Sequence, residues 1–145
     1  MKVQTKDLIG PALDWMVAKC EGELYPRGCV RLHCGRLFTI DPGDSDTSDA
    51  WRKYRPSTDP AQGHPIIERE SIDLHYLGGG WEASIYSGKW HSSEFSMLGL
   101  TALIAAMRCY VASKLGEEVE EVEIPDELCG VQDDIQALVD YVDGR

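Results

Sequence analysis

The chain has 145 residues, of which 43% are hydrophobic and 27% charged, and its formal net charge is −11 at pH 7. A chain of this length forms one domain, which buries roughly 68–70% of the surface that the unfolded chain exposes. No apolar run approaches the ~20 residues of a membrane helix, and the N-terminal residues lack the apolar segment of a secretory signal. We therefore exclude membrane and secreted classes and predict a cytoplasmic protein.

Two short helices are predicted from their end signals. The first covers residues 11–20, because Gly10-Pro11 places proline in the first turn and Gly22 follows the last apolar position. The second begins at Asp59-Pro60, where the aspartate can cap the helix, and ends near Glu70.

Two hairpins are predicted from strand patterns. Residues 25–50 form an irregular insertion, in which residues 29–40 can make a small hairpin across Gly35-Arg36. The clearer hairpin joins residues 72–77 to residues 81–86 through three glycines, because both segments alternate apolar and polar side chains.

The longest predicted helix spans residues 98–115 and is stopped by Gly116. It carries an apolar stripe on one face and small residues on the opposite face. A helix without a polar face is normally buried on both sides. The small-residue face is therefore expected to pack against helix 11–20, against a second copy of the chain in a homo-oligomer, or against the C-terminal segment.

These elements predict an α+β fold. A small antiparallel sheet, centred on strands 72–77 and 81–86, is expected to be covered by helices 11–20 and 98–115, in the manner of an α/β/α sandwich. The predicted parts of the single domain are a core of residues 1–24 and 51–128, an insertion of residues 25–50, and a C-terminal acidic helical extension of residues 129–145.

The negative charge is concentrated at one end of the chain. Residues 1–115 hold 14 acidic and 13 basic side chains, whereas residues 116–145 hold 11 acidic and one basic. Binding of duplex nucleic acid needs Lys and Arg side chains that displace counterions from phosphates, so direct duplex binding is not expected. An acidic face is usually solvated surface. The acidic residues that could instead form a partner surface are Glu117, Glu118, Glu120, Glu121, Asp133, Asp134 and Asp140.

Motifs of catalysis and metal binding are weak. The sequence has no nucleophile elbow, P-loop or dinucleotide fingerprint. Cys29, His33 and Cys34 are ligand types that suit zinc, but in an extended strand Cys34 points away from the other two. A fourth ligand, Cys20 or His64, would have to come from elsewhere. The odd number of cysteines, five, favours reduced thiols, and we predict no metal and no cofactor.

The densest block of turn formers, hydroxyls and charges lies between Tyr54 and Glu70. Helix capping and packing account for much of it, but the block also suits a pocket for a small polar or nucleotide-like ligand. The candidate ligand-binding residues are Tyr54, Ser57, Thr58, Gln62, His64, Arg69 and, from the long helix, Arg108.

Arg108 lies at the edge of the buried stripe, where a guanidinium needs a carboxylate, a carbonyl or an anionic ligand. The structural interpretation is a pair with an acid in or near the block. The functional interpretation is contact with a bound anion. The acids that could form this pair are Glu68, Glu70 and Asp59.

Several segments resemble the NinX proteins of lambdoid phages and prophages. They are residues 12–15 and 17–22, Ser57-Thr58-Asp59, Ala61-Gln62-Gly63, residues 65–70 and the run from Leu103 to Gly116. More distantly, the order of helix, polar turn, hairpin and helix is similar to phage ABA-sandwich domains. The resemblance implies an accessory protein of a temperate phage, expressed in a bacterial host, from a family without established activity. It transfers no catalytic residue.

We expect the protein to act by binding, without turnover. One hypothesis is interference with a host protein or defence system through the acidic surface. The alternative is sequestration of a small nucleotide-like signal in a pocket at the 54–70 turn. A third class is a nucleotide-acting enzyme with His64 as general base.

Overall fold

The computed structural model describes residues 2–40, 51–87, 92–120 and 124–129. Three antiparallel sheets combine with helices, which confirms the α+β class. The strands are β1 (Lys2–Gln4), β2 (Val30–His33), β3 (Arg36–Ile40), β4 (Trp51–Lys53), β5 (Asp73–Tyr76), β6 (Trp81–Ser87), β7 (Ser92–Gly99) and β8 (Glu118–Glu120). The helices are α1 (Gly10–Glu21), α2 (Pro60–Glu70), α3 (Ala102–Leu115) and the short α4 (Asp126–Cys129), with a 3₁₀ turn at Thr5–Asp7. The predicted acidic helix of residues 129–145 falls, after Cys129, outside the described residues.

Helix α1 forms where its end signals predict. Pro11 lies in the first turn, and Gly22 ends the helix in the left-handed conformation, with φ of 70°. The N–H of Gly22 donates to the carbonyls of Ala18 and Lys19, which would otherwise lack partners at the helix end. The apolar side chains of α1 enter the core, since Leu13, Met16 and Val17 are fully buried.

Residues 30–40 are more regular than predicted. Strands β2 and β3 pair from Val30 opposite Thr39 to His33 opposite Arg36. The turn is therefore Cys34-Gly35, one residue earlier than expected, and both residues have positive φ, as a two-residue hairpin turn requires. Strand β4 pairs with β3 and completes a three-stranded sheet. Val30 on β2 and Leu37 on β3 are buried in the core.

Helix α2 begins at the predicted cap. The Asp59 carboxylate accepts a hydrogen bond from the Ala61 N–H at 3.1 Å, and Pro60 lies in the first turn. The helix continues through Pro65 to Glu70, so His64-Pro65 does not end it. Its buried residues include Gly63 and Ile66.

The predicted hairpin forms from β5 and β6, and a third strand that sequence patterns did not indicate completes the sheet. Strand β7 pairs antiparallel with β6 up to Gly99. The long helix therefore starts at Ala102, four residues later than predicted, with the Thr101 hydroxyl accepting from the Ile104 N–H at 3.1 Å. Leu98 belongs to the strand and is 59% exposed, not part of a buried helix face.

Helix α3 is buried on both sides, as its lack of a polar face predicts. Strands β6 and β7 cover it on one side, and α1 and α2 pack elsewhere on it. Its small residues close against the sheet: the backbone of Gly99 approaches Ala105, and the Cys109 thiol lies beside the Ile85 backbone. Ala105, Ala106 and Cys109 have no exposed surface, so this part of the face is covered within the chain.

Strands β1 and β8 join segments far apart in sequence, with Val3 opposite Val119. Thr5, which is fully buried, extends the join. Its N–H donates to the Glu117 carbonyl and its hydroxyl to the Gly116 carbonyl, each at 2.8 Å. This contact fixes the segment that leads into α1 against the end of α3.

Candidate functional site

The structure distributes the seven candidate ligand-binding residues over separate places. Tyr54 and Thr58 line a small cavity, and Arg108 lines a larger one on a different part of the molecule. The remaining candidates make contacts within the chain and line neither cavity. They are Ser57, Gln62, His64 and Arg69.

The smaller cavity, hereafter the Asp14 cavity, has a volume of about 220 Å³. It lies where the first turn of α1 meets β3 and the segment after β4. Three of its lining side chains are cationic, and one is a buried acid. The lining residues are Gly10, Pro11, Asp14, Arg36, Leu37, Lys53, Tyr54, Arg55 and Thr58.

Asp14 is the principal residue of the cavity that the sequence pattern did not indicate. Only 3% of it is exposed, and one carboxylate oxygen accepts a hydrogen bond from the Ser57 N–H at 2.9 Å. Burial raises the pKa of Asp14 to about 7, although contacts with Ser57 and the charge of Arg55 act in the opposite direction. Both protonation states are therefore populated near neutral pH. The sequence feature that could have indicated Asp14 is its position three residues before Val17, which places an acid on the apolar side of the helix.

Tyr54 is partly buried at the end of β4, where its N–H donates to the Leu37 carbonyl at 3.0 Å. Burial is the main reason that the pKa of the Tyr54 phenol is raised far above its ordinary value, and the nearby Asp14 adds to the effect. The phenol therefore stays neutral and can donate a hydrogen bond. Together with Asp14 it gives the cavity one donor and one acceptor.

Gln62 holds the segment that carries these residues. Its side-chain oxygen accepts from the Arg55 N–H at 2.6 Å, and its amide nitrogen donates to the Lys53 carbonyl at 2.8 Å. Both polar ends of the side chain are thus used within the chain. Gln62 consequently acts as a clamp between α2 and residues 53–55.

Arg69 forms an ion pair that joins three helices. Its two terminal nitrogens lie 3.0 and 2.9 Å from the two carboxylate oxygens of Glu21, and the Tyr110 hydroxyl donates to Glu21 at 3.0 Å. The hydrogen bonds to Glu21 are the main reason that the pKa of Arg69 is raised. Arg69 therefore pairs with an acid of α1. His64 is likewise occupied, in an exposed contact of 3.1 Å with Glu68.

Arg108 has carbonyl partners, one of the three kinds of partner expected for a guanidinium at this position. Its Nε–H donates to the Leu8 carbonyl at 2.7 Å, and a terminal nitrogen donates to the Leu98 carbonyl at 2.8 Å. The pairs with Glu68, Glu70 or Asp59 do not form. Burial lowers the pKa of Arg108, with the charge of Asp7 opposing that effect. Arg108 borders a cavity of about 630 Å³.

The other candidate sites are less organised. In the part of the chain that the structure describes, no three His, Cys, Asp or Glu side chains are grouped so as to hold a metal ion. Glu117, Glu118 and Glu120 are exposed at or beside β8, where Glu118 accepts a hydrogen bond from Gln4 at 2.9 Å. The other acidic candidates, which are Glu121, Asp133, Asp134 and Asp140, lie outside the described residues.

Comparisons with known proteins agree with the resemblance seen in the sequence. None of the described helices is both long and apolar enough to cross a membrane.

No curated protein matches the chain. The model of the family described as Bacteriophage P22, NinX matches residues 4–114. That span contains the Asp14 cavity, the clamp and nearly all of α3. The chain belongs to the NinX family, named for a protein of bacteriophage P22.

Proposed function

We propose that this phage accessory protein sequesters a small, phosphorylated, nucleotide-like ligand in the Asp14 cavity, without chemical turnover, in the cytoplasm of the bacterial host. The observation that carries the proposal is a local reversal of charge. The chain has a net charge of −11, yet Arg36, Lys53 and Arg55 border one cavity. Guanidinium and ammonium groups are the usual protein partners of phosphate.

The first turn of α1 strengthens this attraction for an anion. Gly10 and Pro11 form part of the cavity wall. The helix dipole is positive at this end, and Gly10 has a backbone N–H, whereas Pro11 has none. Phosphate oxygens would therefore meet side-chain cations on one side of the cavity and the end of a helix on the other.

The remaining polar groups suit the other end of such a ligand. Asp14 can accept a hydrogen bond from a sugar hydroxyl or from an amino group of a base, and the neutral Tyr54 phenol can donate one. The volume of about 220 Å³ is below the roughly 300–1,000 Å³ of most small-molecule sites. The cavity would hold one part of a nucleotide, with the rest of the ligand outside it.

Binding without turnover is favoured over catalysis by the position of His64. A nucleotide-acting enzyme would use this residue as general base. His64 is exposed, contacts Glu68 and does not line the cavity. A base must lie within hydrogen-bonding reach of the proton that it removes.

Calorimetric titration with inorganic phosphate, nucleoside monophosphates and cyclic nucleotides tests the proposal. We expect at least one nucleotide to bind and to be recovered unchanged by chromatography. Lys53→Met combined with Arg55→Met should weaken binding at least tenfold, because both side chains border the cavity and are exposed enough to be replaced without unfolding. Arg27→Met, which removes an exposed charge elsewhere, is the matched control. Unaltered affinity in the double variant would refute the site, and conversion of the nucleotide would refute sequestration.

A second candidate is interference with a host protein through the acidic surface. Its support is the charge distribution, together with the exposed Glu118 and Glu120 on β8. Glu120→Lys, combined with Asp133→Lys and Asp134→Lys, should abolish capture of the host protein in a pull-down and leave nucleotide binding intact. Capture that survives the three charge reversals would exclude this surface.

A further inference from the structure

A second cavity lies near the sheet, where the β5–β6 turn, β7 and α3 meet. This Arg108 cavity has a volume of about 630 Å³, within the range typical of small-molecule sites. Most of its lining side chains are apolar, including Leu77, Trp81, Met97, Leu98 and Leu100. It shares no residue with the Asp14 cavity, so the two can be tested independently.

Glycine backbone makes up part of the cavity wall. A Cβ atom on Gly80 would lie 2.9 Å from the Gly99 carbonyl oxygen, and one on Gly99 would lie 2.5 Å from the Ala105 nitrogen. The turn, β7 and α3 are therefore in direct backbone contact at this point. This close packing fixes the backbone part of the cavity wall.

The apolar wall is open to solvent. Leu77, Leu98 and Leu100 are 56%, 59% and 48% exposed, although each has a large aliphatic side chain. Exposed leucines that line one concave surface can be covered by an apolar ligand at a gain in free energy. A ligand that fits this wall would therefore have an aliphatic group that lies along the three leucine side chains.

Two cations complete the cavity. Arg108 is held in place by the Leu8 and Leu98 carbonyls, which are neutral groups. The charge of Asp7 acts on the guanidinium, but among the described residues no carboxylate lies within 4 Å of it. Lys6 is exposed at the same cavity. A fixed guanidinium and an ammonium beside an apolar wall are complementary to a molecule with one anionic end.

From this combination we propose that the Arg108 cavity binds an amphipathic carboxylate, a molecule with an aliphatic chain that lies on Leu77, Leu98 and Leu100 and a carboxylate that meets Arg108 and Lys6. The apolar wall provides affinity that grows with chain length. The cations provide selectivity for an anionic end over a neutral one. This site is separate from the proposed nucleotide site and does not depend on it.

Displacement of 8-anilinonaphthalene-1-sulfonate, followed by fluorescence, tests the proposal on the full chain. Decanoate should displace the dye at least tenfold more effectively than hexanoate, because of its longer chain, and than decyl maltoside, because that amphiphile is uncharged. Equal displacement by decanoate and decyl maltoside would overturn the role of the cations.

Two variants locate the site. Lys6→Met keeps an unbranched side chain and removes the charge. It should lower the affinity for decanoate about tenfold, a loss typical of a charge-assisted contact. Leu77→Glu places an acid on an exposed part of the wall and should abolish binding. Arg27→Met is again the matched control. Circular dichroism checks that each variant is folded, and decanoate affinity unchanged in both would refute the site.

Light scattering separates this proposal from its main competitor, which is a second copy of the chain covering the wall. We expect a monomer at all concentrations used. A dimer that Leu98→Glu dissociates would show that the leucines form a contact between copies, and it would overturn the assignment of the cavity to a carboxylate.

Discussion

The backbone N–H of Ser57 donates a hydrogen bond to the buried carboxylate of Asp14 at 2.9 Å, across 43 positions of the chain. This bond joins α1 to the turn that precedes α2. It places an acid inside the protein with a neutral donor as its partner and no cation in direct contact among the described residues. The energetic consequence depends on pH, because burial disfavours the ionised form.

Asp14→Asn should change how stability depends on pH. The folded-state pKa of Asp14 is about 7 and its ordinary value is 3.8, so the folded chain holds a proton that the unfolded chain releases between those values. The Asp14 contribution to stability is therefore complete below about pH 4 and is lost as the pH rises to about 7. The slope is on the order of 1.4 kcal/mol per pH unit.

Urea unfolding of the wild type and the variant, measured from pH 4 to pH 8, checks this expectation. The difference in unfolding free energy between the two proteins should shift in favour of the variant up to about pH 7 and then become constant. Asparagine keeps an oxygen that can accept from Ser57, so the hydrogen bond is preserved. A difference that does not vary with pH would contradict the assigned pKa.

Arg69→Met should destabilise the fold by about 1 kcal/mol, because the pair with Glu21 has two parallel hydrogen bonds but Arg69 is half exposed. A double-mutant cycle with Glu21→Gln should give a coupling energy of similar size. Glu68→Gln, which breaks the exposed contact with His64, is the control and should cost less than about 0.5 kcal/mol. Equal effects of the two single acid replacements would count against a special role for the Glu21 pair.

Gly63→Ala should destabilise the protein by about 1–3 kcal/mol, the usual cost of overpacking. Its Cβ would lie 2.4 Å from the Pro56 carbonyl oxygen and 2.7 Å from Leu103. The turn before α2 would have to move away from the helix, which would also disturb Asp14 and Gln62. Gly79→Ala is the matched control, because nothing lies within 4 Å of a Cβ at that position. Thermal unfolding that is the same for both variants would show that the turn adjusts freely.

The rate of alkylation should differ among the cysteines according to their burial. Cys109 is fully buried, and burial raises the pKa of its thiol to about 12 and that of Cys20 to about 11. Cys34 is exposed at the β2–β3 turn. With iodoacetamide at pH 8, mass spectrometry of the native protein should find modification at Cys34 long before Cys109. Rapid labelling of Cys109 would mean that α3 separates from β6 readily.

The sequence predicted those elements whose signals are local. Pro11 and Gly22 mark the ends of α1, Asp59 marks the start of α2, and alternation reveals β5 and β6. Strand β7 was missed because its main-chain partners lie on β6, and residues around Leu98 read equally well as the start of an apolar helix. A contact with a neighbouring strand, which is a property of the fold, decides between the two.

The candidate site was predictable only in part. Tyr54 and Thr58 were identified from the density of polar groups around them, but Asp14, Arg36 and Lys53 come from segments that the fold brings together. Pairing of β3 with β4 places Phe38 opposite Lys53, and only then do the cations share one cavity. Arg69 and Arg108 have the residue type of an anion contact, yet their partners within the chain could not be known before the helices were placed.

The pairing of β1 with β8 also bears on how the protein folds. The side chains of Gln4 and Glu118, 114 positions apart, meet at 2.9 Å, so this two-stranded sheet closes almost the whole matched segment into one loop. Closing so long a loop costs entropy that only an already formed interior can offset. The sheet should be the last part to form. Amide hydrogen exchange at Val3 and Val119 would then report local opening of the β1–β8 sheet well before the chain unfolds as a whole.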